Sequence, residues 1–444
     1  MKKVTSFLLV LVVVAPLIAL VSCTRSAWDT GPIMNVPHVY INTQDGREVE
    51  CRDVFVPMSI TLRYADRIAH NFENLSGQIR GRGNSTWTHA DKLSYRIRFD
   101  DRISLLGLSD ERERSRERTW LLQAVAFDKT LLRDWTTWRI AEAMNFCFVP
   151  NSTFAHVYLN GEYLGLYQVT EAVQTGPGRV NIGESTLERE IGFMFSTDMR
   201  APSKGRYGVD FFFIEGYFNE LRNRDVPFRI RSDYYTREQF NFIRDTVTEI
   251  HIAIMSGDRA RIEALIDIDS FVDMYILQEF TKDRDVAFGS LYFARSPGGK
   301  LRATAPWDFD LALGNDSGSD TPYDHQSPRG IMAARANTWF RALMSTPWFS
   351  ELTYARWHEL ADHIEQSIES TLQMGSALRV AAERNFERWY IVWQVRNSGR
   401  VFEPRVIFAI KTYRGQVEYL AQWMRQRQSW LDGHFADVVA TETE

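Results

Sequence analysis

Hydrophobic and polar positions divide the chain into regions with different periods. Residues 7–21 (FLLVLVVVAPLIALV) are an apolar run broken by one proline, preceded by the basic start Met1-Lys2-Lys3. That run falls short of the roughly 20 apolar residues a membrane helix needs. A basic start and a short apolar core read as an export signal. From about Val36 to Phe99 the pattern is β. VYI, ITLRY and GQIRGRGNSTW lead into KLSYRIRF, where Tyr95, Ile97 and Phe99 alternate with Arg96 and Arg98 as in a half-buried strand. Residues 109–118 are a charge-dense insertion expected as a solvated loop or helix end. Leu131, Trp135 and Trp138 fall at helical spacing. AHVYLNGEYLGLYQV is the strongest hairpin signal, because Asn160-Gly161 is a type I′ turn dipeptide between two β-rich runs.

Residues 174–232 show strand fragments and turns, and the chain turns helical from Thr236. Asp269 to Phe280 is apolar nearly all round, which predicts a buried helix. A second hairpin, LYFA-RSPGG-KLRATAP, leads into WDFDLALGND. From about Trp339 the pattern is helical again. Trp357, Leu360, Ile364, Ile368 and Leu372 share one face, as do Val417, Leu420, Met424 and Leu431. The order predicts an α+β chain of two unequal lobes: β-rich over about 37–232, helical over about 236–435, and a tail over 436–444.

Composition adds exclusions. With 44% hydrophobic and 13% aromatic residues among 444, the chain can offset its ordering entropy, so disorder is excluded. A net charge of −5 argues against a nucleic-acid partner, which would call for a basic excess. Of three cysteines, Cys23 closes Leu20-Val21-Ser22-Cys23, which fits the bacterial lipobox. Residues 1–22 are then a signal peptide and 23–36 a lipidated tether to a membrane. The expected location is outside the cytoplasm, with Thr24 after the cysteine leaning toward an outer membrane or the cell surface. Cys147, in NFCFVP, reads as a buried thiol, and whether it pairs with Cys51 is open.

Candidate chemistry centres on carboxylates. There is no G-x-S-x-G, H-E-x-x-H or Walker A sequence. Asp285 closes TKDRD directly after the buried helix, and Asp308 and Asp310 sit in WDFD directly after the second hairpin. A hairpin between two acidic turns can bring both turns to one end. Carboxylates beside tryptophan and phenylalanine are costly to bury unless a cation or donors meet them. Hard oxygen ligands of this kind suit Mg²⁺ with a phosphate; the plainer alternative is turn capping or pairing with arginines. Protein kinases place a catalytic aspartate after a buried helix, a metal-binding asparagine five residues on, then a hairpin and a metal-binding aspartate. Here Asp285 is followed at that spacing by Ser290, then the hairpin, then Asp308. Lys92, opening KLSYRIRF, is a candidate phosphate contact, and GRGNSTW is a weak nucleotide-loop signal.

The strings RGRGNSTW, KLSYRI, LLGL, WLLQAVAFDKTLLRD, YLNGEYLGLYQVTE, EFTKDRD and PWDFDLALGN occur in an order that resembles the CotH family, the spore-coat protein H-type atypical secreted protein kinases. The resemblance runs from about Pro37 to about Leu431. It implies a divergent, kinase-like bilobal fold that binds ATP with Mg²⁺ and phosphorylates Ser or Thr of surface, envelope or secreted proteins. On it, Asp285 is the catalytic aspartate, while Asp308, Asp310 and Ser290 are the metal group. Lys92 is a phosphate contact, Arg82 and Trp87 shape the nucleotide loop, and Glu171 takes a hinge or lysine-pairing role. One departure is Asp283-Arg284, where many members carry Asn and a small apolar residue. The alternative is a non-catalytic surface or cell-envelope binding protein on a pseudokinase-like fold, since the metal-binding asparagine is absent and ATP is scarce outside the inner membrane.

Overall fold

Seven N-terminal strands wrap into a closed barrel in the order β1-β2-β3-β4-β5-β7-β6. The structure, a computed structural model, describes Trp28 and residues 31–442 apart from 108–115, 185, 220–223, 319–323, 392–395 and 398–399. The signal segment and Cys23 therefore lie outside the described residues. The strands are β1 (His38–Thr43), β2 (Val56–Arg63), β3 (Phe72–Arg82), β4 (Ser94–Ile103), β5 (Glu117–Gln123), β6 (Ser152–Leu159) and β7 (Glu162–Glu171). All neighbours are antiparallel except β1 and β6, whose parallel pairing closes the ring. Period-2 alternation sends Ile41, Ile60, Ile79, Ile97, Trp120, Val157 and Val169 into one buried core. At the β6–β7 turn Asn160 and Gly161 both take positive φ, +50° and +85°, as a type I′ turn requires.

A second, larger core lies under the rest of the chain. It joins helix α1 (Arg133–Ala141) to a five-stranded sheet and the helices that follow. The sheet runs β12-β11-β8-β10-β9, made of β8 (Phe193–Asp198), β9 (Phe211–Phe212), β10 (Phe228–Ile230), β11 (Gly289–Arg295) and β12 (Arg302–Ala303). The helices are α2 (Arg237–Ser256), α3 (Arg259–Leu265), α4 (Ile268–Thr281), α5 (Pro347–Trp389) and α6 (Tyr413–Glu442). Thr236 and Gln239 form a reciprocal capping box that fixes the start of α2. α4 is buried from Ser270 to Thr281, as its all-round apolar pattern requires. The chain is thus a mixed α+β protein, β-rich at its N-terminal end and helical at its C-terminal end.

Several local readings change. The strand β5 reaches back into the charge-dense stretch, with Glu117 buried; residues 108–115 are outside the described set. Leu131 precedes its helix with φ +61°. The compositional break near residue 232 does not separate the two cores, because β8, β9 and β10 share the core of the later helices. Cys147 is exposed rather than buried, its Sγ 2.7 Å from Thr304 Oγ1, and neither it nor Cys51 is bridged.

A buried ion pair joins α4 to α6. Glu279 accepts from the backbone of Met332 (2.7 Å) and Ala333 (2.8 Å), and its Oε1 meets Arg427 Nη2 at 2.8 Å. Arg427 also donates to the carbonyls of Glu279 (2.7 Å) and Gly330 (2.9 Å). Breaking a buried pair from one side strands a charge at a cost of about 3–5 kcal/mol. Arg427→Met should therefore lower unfolding stability by that order in urea denaturation. The double variant Glu279→Gln/Arg427→Met should lose clearly less than the two single losses combined.

His156, on β6, bonds Tyr163 Oη at 2.9 Å and lies beside His38. Burial, then the neighbouring charges of His38, Arg384 and Lys92, lowers its pKa to about 4. The folded state thus holds the ring neutral while the unfolded chain protonates it near 6.5. Its contribution to stability is full above about pH 6.5 and is lost as pH falls toward 4. The urea midpoint of the wild type should drop over that window, and His156→Gln should drop less.

Candidate functional site

Between the barrel and the second core lies a cleft with a cavity volume of about 930 Å³. The barrel supplies the end of β3, the turn Gly83–Thr86 and the outward face of β4; the second body supplies the ends of β8 and β10, the turn after α4 and the W-D-F-D loop. At one end stand the carboxylates. Asp283 caps the short turn Arg284–Ala287 by accepting from Asp285 N at 3.1 Å. That turn leads into β11, whose second residue is Ser290. β12 then returns the chain to Trp307-Asp308-Phe309-Asp310.

The hairpin does bring the acidic turns together. Ser290 Oγ lies 2.8 Å from Asp285 Oδ2 and 3.1 Å from Asp308 Oδ2. A hydroxyl has one proton, so it can donate to only one of these oxygens at a time. Neither Asp308 nor Asp310 forms an ion pair among the described residues, and Asp310 lines the same cleft. Burial, then Asp308, raises the Asp285 carboxyl above its usual range. Burial, with Asp308 next, pushes Asp310 well up as well. Ser290 and Asp308 hold left-handed backbone, φ +57° and +77°, a conformation that costs a non-glycine residue of order 1 kcal/mol or more.

Arg82 lies in the cleft, over the Trp307 ring at 5.1 Å, and donates to Gln123 Oε1 at 3.0 Å. Burial lowers its pKa, with Asp308 the strongest opposing charge. The remaining candidates are elsewhere. Lys92 is buried outside the cleft, its Nζ 2.5 Å from Leu166 O and 2.9 Å from Asn385 Oδ1. Gly165 permits that approach: a Cβ there would sit 2.6 Å from Asn385 Oδ1. Trp87 packs edge-on to Tyr95 and covers Gly81 rather than lining the cleft. Glu171 forms a buried pair with Arg179 at 2.7 Å and accepts from Asn151 N at 3.0 Å. Arg284 pairs with Asp316 at 3.1 Å, so the charged departure beside Asp285 is partly neutralised from behind.

Two cleft residues escaped the sequence reading. Asp134, at the start of α1, accepts from Phe309 N at 2.7 Å and so holds the W-D-F-D loop from 175 residues away. Burial, then Asp308, pushes its carboxyl up to about 7. Arg96 was legible only as the polar side of a strand, yet that side faces the cleft rather than bulk water.

No group of three or more His, Cys, Asp and Glu residues is arranged to cage a metal among the described residues. Two carboxylates flanking one hydroxyl remain, and Mg²⁺ is commonly held by one or two carboxylates with substrate phosphates and water supplying the rest. The donor set fits that ion. Around it, ten Arg and Lys side chains against six Asp line the cleft, which suits a polyanion.

No curated protein matches the chain. The family model described as CotH kinase protein matches residues 79–431, a span that includes Arg82, Asp134, Asp285, Ser290, Asp308 and Asp310. With most of its length inside that match, the chain belongs to the CotH kinase protein family.

Proposed function

We propose that the protein transfers the γ-phosphoryl group of ATP to a Ser or Thr hydroxyl, with a divalent ion, Mg²⁺, at the acidic end of the cleft. The observation that carries this reading is the Ser290 hydroxyl between the Asp285 and Asp308 carboxylates on the wall of a basic cleft. Asp308 with Ser290 and Asp310 would hold the ion, which when bound neutralises phosphate charge. Asp285, whose carboxyl burial and Asp308 hold above its usual range, would serve as the base. The acceptor oxygen forms a bond to phosphorus, the bond from phosphorus to the β-phosphate oxygen of the leaving ADP breaks, and the acceptor proton passes to Asp285. Arg82 and Arg284, which line the same cleft, would meet phosphate oxygens. In this reading the barrel and the helical body are the two lobes of a kinase-like fold. Cys23 lipidation would hold it at a membrane outside the cytoplasm, facing protein substrates of the surface or envelope.

Purified protein with labelled ATP and Mg²⁺ should phosphorylate itself or an added acceptor protein, and Asp285→Asn should cut the rate at least a hundredfold. Mg²⁺·ATP at 100 times its Kd should add about 2.7 kcal/mol of stability, read as a raised melting temperature. A flat melting response together with no transfer overturns the reading. It would favour the non-catalytic surface protein, for which one observation speaks: Lys92 is withdrawn from the cleft into neutral backbone and amide partners.

Asp134 is a positioning residue in this scheme. Asp134→Ala strands the Phe309 N–H, at a cost of about 1–3 kcal/mol, and frees the loop bearing Asp308. Asp134→Asn keeps an acceptor oxygen. The alanine variant should raise the Mg²⁺ concentration for half-maximal transfer at least tenfold, and the asparagine variant severalfold less.

A further inference from the structure

The arginines of the cleft are not spread evenly. Two of them, Arg80 and Arg96, stand directly opposite each other on β3 and β4 and both line the cleft. Like charges opposed across a strand pair repel. Arg80 stacks on Phe55 at 4.9 Å and donates through Nη1 to the Arg52 carbonyl, but leaves a buried Nε without a hydrogen-bond partner. Arg96 forms no hydrogen bond or ion pair among the described residues, and burial and its arginine neighbours lower its pKa to about 10. Arg231 faces them from β10's end, where it shares Asp198 with Arg229. Two arginines opposed across a strand pair, partly desolvated and neither in an ion pair among the described residues although Asp53 lines the same cleft, form a site suited to an anion.

Charge balance separates this anion from the nucleotide. The lining side chains carry four more positive than negative charges. With Mg²⁺ and ATP⁴⁻ aboard, two positive charges remain.

We propose that Arg80 and Arg96 form a second anion subsite that binds a phosphate monoester dianion, and that the acceptor carries this group near the hydroxyl to be phosphorylated. The acceptor half of this statement rests on the phosphotransferase reading; the binding of phosphate by Arg80 and Arg96 does not.

Isothermal titration of the full chain with inorganic phosphate in EDTA tests the subsite without the metal. Arg96→Gln and Arg80→Gln should each weaken phosphate binding at least tenfold, with circular dichroism and melting temperature reporting whether each variant is folded. Arg96→Lys, which keeps the charge without the fork, should recover part of the affinity. A phosphoserine peptide should displace phosphate, and its unphosphorylated form should not; displacement by neither peptide overturns the acceptor half and points to free phosphate. The melting shift with Mg²⁺·ATP should stay as in wild type in both glutamine variants. Phosphate affinity unchanged in both overturns the subsite. So does competitive displacement of phosphate by Mg²⁺ with a non-hydrolysable ATP analogue, since the arginines would then seat the triphosphate. A missing ATP response beside Arg96-dependent phosphate binding would sink the phosphotransferase reading and leave the subsite standing.

Discussion

Everything at the acidic end of the cleft depends on where α4 stops, and the buried Glu279 carboxylate sets that point. A carboxylate placed in a helical core is costly unless donors surround it. Here two backbone N–H groups and the Arg427 guanidinium do so, tying two distant stretches of chain to one helix end. The next residues inherit the constraint. Lys282 takes left-handed backbone, φ +48°, and its ammonium is held by the carbonyls of Asp324, Ser327 and Arg329. The chain must then turn where it does, with Asp283 as cap and Asp285 facing the cleft. The second acidic turn is fixed to the same helix end, because Leu313 N donates to Thr281 O at 2.8 Å. Asp285 and Asp308 meet because both turns are secured to one buried anchor.

This explains which parts of the molecule were legible in the sequence. The N-G hairpin, the alternation of β4 and the all-round apolar α4 are local: spacing reports the face that is buried, and the turn dipeptide carries its own backbone conformation. The adjacency of Asp285, Ser290 and Asp308 was legible for the same reason, since a short hairpin separates them. Asp134 was not, because its partner is 175 residues away and its string, LLRDW, reads as an ordinary helix start. Lys92 misled because a strand-edge lysine has the same local pattern whether it points into a cleft or toward Asn385, 293 residues on. Arg96 shows the general limit. Alternation identifies the polar side of a strand but is silent about what covers that side.

Backbone strain helps to decide between packing and chemistry. Glycine would adopt the positive φ of position 290 or 308 at little cost. Serine and aspartate stand there instead, each at a penalty, and each adds an oxygen to the same small volume. A purely structural turn has no use for two carboxylates around one hydroxyl, since their repulsion and burial are unfavourable in the protein alone. On the proposed function a cation would complete the arrangement and offset that cost.

Net charge, finally, is a sum and hides the distribution that matters. The whole chain carries −5, while the cleft is lined by four more positive than negative side chains. The surplus of acid lies elsewhere, as where one Arg425 meets both Glu365 and Glu369 on exposed helix faces. Exposed pairs of this kind contribute little to stability and leave the field inside the cleft almost untouched, because salt screens them within about 10 Å. A cleft between two bodies screens its own charges far less. The acidic composition therefore describes the surface and its solubility. The electrostatic character of the cleft is set by the few arginines that the fold encloses between barrel and helices.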